Sequence, residues 1–261
     1  LDYKTNAKLR NVSGAGEIVL TGGAHLFNYT GSGVGFAEAN SWSAFSGNLT
    51  IMGNSEFQTI RNGATAMGSG TVTLGDASTS GTLSQIEGNW AWTTPIILTG
   101  PDNKILNRSA GSNRLLKLQG ILSGSGNLTV TDTAATMTNS QTGFILTGEN
   151  TFDGTLTIST GTPLRVGGVP GNTDANQSGA DAFGTLGSAT VVNNGTLTFS
   201  RTDSHTIANP ISGSGQVVIG LTTGTTAQIV TFTGTKSYTG ATTVNNGKLV
   251  LNTTLSNSAV T

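Results

Sequence analysis

Few side chains in this sequence have the type and spacing that chemistry demands. Glu149 and Asp153 stand four apart around Phe152. Two carboxylates at a fixed separation can divide the roles of acid and base in polysaccharide cleavage. In a strand–turn segment, however, positions four apart need not face each other. A later copy of the same segment carries Thr235 and Thr239 instead, so solvated turn residues are the plainer reading. Asp174 and Asp181 flank a Gly-, Asn- and Gln-rich stretch over 167–180. They are the weak metal candidates, for Ca²⁺ held through carboxylates and carbonyls. The stretch matches neither an EF-hand nor a Gly-Gly-x-Gly-x-Asp nonapeptide, and a surface loop is the simpler reading. No other metal and no cofactor is expected.

The two histidines, His25 and His205, have no serine-nucleophile motif or second ligand near them in sequence. No Gly-x-Ser-x-Gly elbow leads into a helix, and Gly31-Ser-Gly33-Val-Gly35 leads into none either. Without a helix N-terminus such a loop cannot cradle a dinucleotide. No catalytic residue is therefore assigned. Trp90 and Trp92 alternate and so share one strand face, which makes them the candidate sugar-stacking pair; Trp42 stands apart. The competing reading for all three is packing. Thr-x-Thr patterns suit ice binding only on equal-length rungs, which this chain lacks. Its Asn-x-Ser/Thr sequons, such as Asn48-Leu-Thr50, arise readily in a Thr-rich repeat.

The elements that must carry these residues are short strands. No 3.6-residue apolar period persists over helical length, and Gly interrupts nearly every segment. Runs of four to six residues alternate apolar and polar, the period of a half-buried strand. Only 10% of the 261 residues are charged and the net charge is −1, against about 25% charged in a typical soluble domain. Threonine, which outnumbers even the 38 glycines, must cover the surface. There is no basic patch to capture nucleic acid and no apolar run of membrane-spanning length. Cysteine is absent, as a large repetitive fold allows. The strand-like pattern runs to both termini, so the chain reads as part of a longer polypeptide.

The chain repeats itself, and long-period repetition favours a solenoid over a sandwich or barrel. Ser123-Gly-Ser-Gly126-Asn-Leu-Thr-Val130 returns as Ser212-Gly-Ser-Gly215-Gln-Val-Val-Ile219, and more weakly as Ser13-Gly-Ala-Gly16-Glu-Ile-Val-Leu20. A second block places an aromatic two residues before Gly in Phe45-Ser-Gly47, Phe152-Asp-Gly154 and Tyr238-Thr-Gly240. Apolar residues follow at alternate positions, as in Leu156 and Ile158. A third block joins Gly68 to Val72 and Leu74, and Gly184 to Val191 and Val192. Each then reaches Gly-Thr-Leu and Pro-Ile: Gly81-Thr82-Leu83 with Pro95-Ile96, and Gly195-Thr196-Leu197 with Pro210-Ile211. The approximate modules are 1–120, 121–211 and a partial 212–261.

These blocks resemble the autotransporter-associated β-strand repeat of bacterial passenger domains, best over 123–166 and again over 212–251. Trp42 departs from that pattern in the first copy. The resemblance implies a right-handed parallel β-helix, export to the bacterial cell surface or medium, and a scaffold without catalytic residues. The expected fold is thus all-β, one right-handed parallel β-solenoid segment. At ~20–25 residues per rung and about 4.8 Å per step it makes roughly 10–13 rungs. Leu128 with Val130, Leu156 with Ile158, and Leu197 with Phe199 point inward; Thr129, Thr131, Thr155, Thr157, Thr196 and Thr198 point outward. Asn194-Gly195 and Asn246-Gly247 are either hairpin turns or solenoid corners. The expected function is non-enzymatic, structural or adhesive, with end-to-end or lateral self-association and surface glycans as partners, and no membrane span. The alternatives are a carbohydrate-active or carbohydrate-binding β-helix, and a passive stalk displaying another domain.

Overall fold

The structure, a computed structural model, describes residues 7–9, 12–27, 42–59, 67–86, 90–108, 114–133, 142–168, 184–222, 228–256 and 258–261. Among these residues, strands of two to five residues follow one another and no helix occurs. Every pairing between them is parallel, and each strand pairs with segments one turn of the chain away, as Leu83 does with Ile105 and Ile105 with Val130. The fold is an all-β parallel solenoid. Asn194-Gly195 and Asn246-Gly247 are its corners, because the strands they join belong to different sheets and do not pair as hairpins.

The chain winds around three faces. Face one begins as five strands stacked from Ile18–Leu20 to Leu122–Ser123. Face two is nine strands, from Ala7–Lys8 to Ile211–Ser212. Face three is seven, from Trp90–Trp92 to Thr242–Val244. Face one then lapses: Gly148–Phe152 and Gly184–Ala189 cross it without strand structure. A separate three-stranded sheet takes the face over with Ser204–Ile207, Ile229–Phe232 and Lys248–Leu251.

Alternation puts every second side chain into the core. On face two, Leu26, Phe57, Leu83, Ile105, Val130 and Ile158 stack in register. On face three, Trp92, Leu118, Leu146, Val166, Phe199 and Ile219 do the same. All are essentially inaccessible and belong to one continuous cluster. Coils are less even than expected. Ala7 meets Leu26 after 19 residues, whereas Ile158 meets Asn193 only after 35. Insertions enter between strands and leave the register intact. Thr198 is a second departure: it points outward but is buried, flanked in its row by Arg165 and Val218.

The sequence repeat is not the rung. The strands that follow the three Ser-Gly-x-Gly turns, Ile18–Leu20, Leu128–Asp132 and Gln216–Ile219, lie on faces one, two and three respectively. Each is covered by the aromatic–x–Gly strand of its own module: Ile18 pairs with Leu49, Leu128 with Leu156 and Val217 with Thr242. One amide bond recurs at all three places. Ser46 N–H donates to Gly14 O at 2.8 Å, Asp153 to Gly124 O at 3.1 Å and Thr239 to Gly213 O at 2.9 Å. Successive modules therefore start one face further round.

This stacking explains the glycine spacing. The second Gly of the turn lies directly beneath the Gly of the aromatic block. A Cβ on Gly154 would stand 2.3 Å from Gly126 O, and one on Gly240 2.2 Å from Gly215 O. Both lie within hard-sphere contact, so only Gly allows the rungs to close at the corner. The aromatic beside it, Phe45, Phe152 or Tyr238, fills the core at the bend.

Candidate functional site

The sequence candidates scatter. Trp90 and Trp92 share a face, and it is the inward one: they pair with the core residues Leu116 and Leu118. Trp92 is 1% exposed, so the pair forms no open platform for a sugar ring. Trp42 is equally buried and packs edge-on against Phe45 and Phe57. Asp174 and Asp181 lie outside the described residues, as does the 31–35 glycine run. Glu149 is exposed and accepts the Gly184 amide at 3.1 Å, whereas Asp153 enters the glycine corner through its main chain.

Two clusters of ionisable groups do form. On the outer side of face two, His25 Nε2 meets Glu56 Oε2 at 2.6 Å, and Arg108 Nη2 meets the same oxygen at 3.2 Å. Ser84 donates its hydroxyl to the other Glu56 oxygen. Serine, carboxylate and imidazole are all present but in the wrong order. A nucleophilic triad needs the imidazole between serine and carboxylate, where it can take the hydroxyl proton. Here the carboxylate is central and paired with arginine, a far weaker base. The cluster ties together strands His25–Phe27, Ser55–Thr59 and Gly81–Gln85.

The second cluster sits where face one lapses. Arg201 holds Asp203 in a bidentate pair at 2.7 and 2.6 Å, and its Nη1 donates to Gly184 O at 2.7 Å. Gly184 is thus gripped at its amide by Glu149 and at its carbonyl by Arg201. Asp203 lowers its own pKa by accepting from Arg201 and raises that of the guanidinium. His205 lies beside them in an inward row with Val230 and Leu249. Its side chain is 8% exposed, and neither ring nitrogen has a hydrogen-bond partner. Asp203 Oδ1 is 3.9 Å from Nδ1. Burial, followed by the nearby Arg201 charge, pushes the imidazole pKa down against an opposing pull from the main chain and carboxylate of Asp203. A cleft of ≈ 300 Å³ opens here between Gly184–Gly187 and His205–Asn209. Composition gave no sign of this cluster, whose residues the winding brings together from separate coils.

A third polar group lies inside the core itself. Lys236 occupies the inward row between Ile211 and Leu255 and is 1% exposed. Its ammonium donates to the carbonyls of Ile207 at 3.2 Å, Asn209 at 2.9 Å and Thr233, and stands 5.2 Å from the Phe232 ring centroid. Burial pushes its pKa down to about 8. The aligned residue one module earlier is Asn150, which receives Leu122 N–H at 2.8 Å and donates to Thr185 O at 2.8 Å. Both side chains satisfy backbone groups that the strand ladder leaves open.

No cluster of three or more His, Asp, Glu or Cys fit to hold a metal ion occurs among the described residues. No helix among them is long and apolar enough to cross a membrane. No family model, curated protein or solved structure matches the chain.

Proposed function

We propose that this chain is a non-enzymatic structural segment of an exported bacterial surface protein, a stiff rod that acts through its length and through repeated weak contacts along its sides. The observation that carries the reading is where the buried polar side chains spend their hydrogen bonds. Asn103 reaches Gly81 N–H, Gly100 O and Asn127 O. Asn193 reaches Gly195 N–H and Gln216 O, Asn209 reaches Gly187 O and Ala189 O, and Gln228 joins Phe199 O to Arg201 N–H. Each ties one rung's corner to the next. A polar group committed to the backbone in this way supports the rod. The motif resemblance supports export and display.

Self-association belongs to the same proposal. Leu251 and Val260 are 43% and 53% exposed, and the strand Lys248–Leu251 has a partner on one side only among the described residues. A further rung, from continuing chain or from a second copy, would cover them, since open strand edges recruit strands. Small-angle scattering over a concentration series, with electron microscopy, tests the reading. Rods about 5 nm long that lengthen or bundle with concentration support it; a compact particle, or turnover of a polysaccharide panel by the purified chain, overturns it.

A further inference from the structure

At the lapse in face one, strand pairing gives way to sparse lateral hydrogen bonding among the described residues. Above and below it, strands pair along their length. Across it, the coils at 148–152 and 184–189 are joined by single bonds, such as Ser188 N–H to Phe152 O at 3.1 Å and Thr185 N–H to Gly148 O at 3.2 Å. The charged cluster of Glu149, Arg201 and Asp203 reinforces this weak level by gripping Gly184 from two sides. His205 opens the next sheet immediately beyond it.

We propose that this junction is an acid-sensitive hinge, closed while His205 is neutral and opened when it takes up a proton. In the closed rod the imidazole is enclosed by Phe199, whose ring centroid is 5.9 Å away, and by the aliphatic row of Val230 and Leu249. A proton on it would be a buried cation within the field of Arg201. The one acid near it among the described residues, Asp203, already has both carboxylate oxygens on Arg201. Glu149, from the crossing at 148–152, lines the same cleft as His205 and accepts the Gly184 amide. Lys236, from the rung above, brings another positive charge to the same strand by bonding Ile207 O. Among the described residues the carboxylate within 4 Å of a ring nitrogen is that of Asp203, which is already paired with Arg201, and both nitrogens are closed to solvent. Once the junction parts, water reaches the ring and it titrates at its ordinary value of 6.5. The open form thus binds the proton more tightly than the closed form, and lowering the pH favours opening. The lowered pKa in the closed state acts in the same direction.

Hydrogen exchange of the full chain at pH 7.5 and 5.5, corrected for intrinsic rates, tests this. Exchange in 184–189 and 204–207 should rise by about tenfold per pH unit at most, the limit for one proton, while Thr155–Ile158 stays protected. His205→Phe should abolish the acid dependence while keeping the spectrum of the folded rod. His205→Gln, neutral and polar, provides the same readout should Phe disturb packing. Equal acceleration at Thr155–Ile158, or acid-enhanced exchange that persists in either variant, overturns the proposal.

Discussion

The glycine corner at Gly126–Gly154 and the lapse around Gly184 are both places where one coil passes close over another, yet they are built on opposite terms. At the corner, contact is between backbones. No side chain intervenes, the amide of Asp153 bonds Gly124 O, and an aromatic seals the inside. At the lapse, charged side chains stand in for a strand, and a buried imidazole has Asp203 Oδ1 no nearer than 3.9 Å from its Nδ1. Steric closure at the corner depends on one atom being absent. Closure at the lapse depends on protonation and geometry. The solenoid is therefore rigid by sterics over most of its length and conditional at one level.

The comparison is broken most easily from the corner. Gly154→Val places a branched side chain against Gly126 O, and overpacking there should cost roughly 3 kcal/mol or more. Urea unfolding would show this as a lower midpoint; a midpoint within experimental error of wild type would mean that the corner is not sterically closed. Next is Asn150→Ala. Leu122 N–H loses its acceptor and Thr185 O its donor, a loss of about 1–3 kcal/mol, read by the same unfolding curves.

Lys236 sharpens the comparison through pH. Its folded pKa of about 8 lies below the ordinary lysine value of 10.5. Between those limits the unfolded chain holds a proton that the folded chain does not, so stability rises with pH across that window. In Lys236→Met this rise should vanish, and stability at pH 10 should fall by about 1–3 kcal/mol, because the carbonyls of Ile207, Asn209 and Thr233 lose their donor. Thermal melts at pH 7, 8.5 and 10 would check both. The smallest effect is expected at Asp203→Asn. The Arg201 pair is partly exposed, and its loss should cost at most about 1 kcal/mol, visible as a small drop in melting temperature.

Much of this architecture was legible in the sequence because solenoid strands obey local rules. Alternation at Leu128 and Val130, or at Leu197 and Phe199, identifies the inward face without knowledge of the partner. Gly-Ser-Gly identifies the turn. Coil length was less legible, since insertions such as that between Ile158 and Asn193 do not disturb register. The Trp90–Trp92 pair shows the limit of pattern: alternation establishes that two rings share a face but not which face the core lies on. The charged cluster was invisible for another reason. Glu149, Arg201 and Asp203 come from two different coils, and only the winding brings Gly184 between them.

The one-face advance of each module has a consequence for how such a rod meets its surroundings. Equivalent segments climb it like the treads of a spiral stair. A flat surface laid along one side therefore meets one of the three equivalent strands, Ile18–Leu20, Leu128–Asp132 or Gln216–Ile219, and not the other two. A sleeve of neighbours around the rod would meet the same tread from each direction in turn.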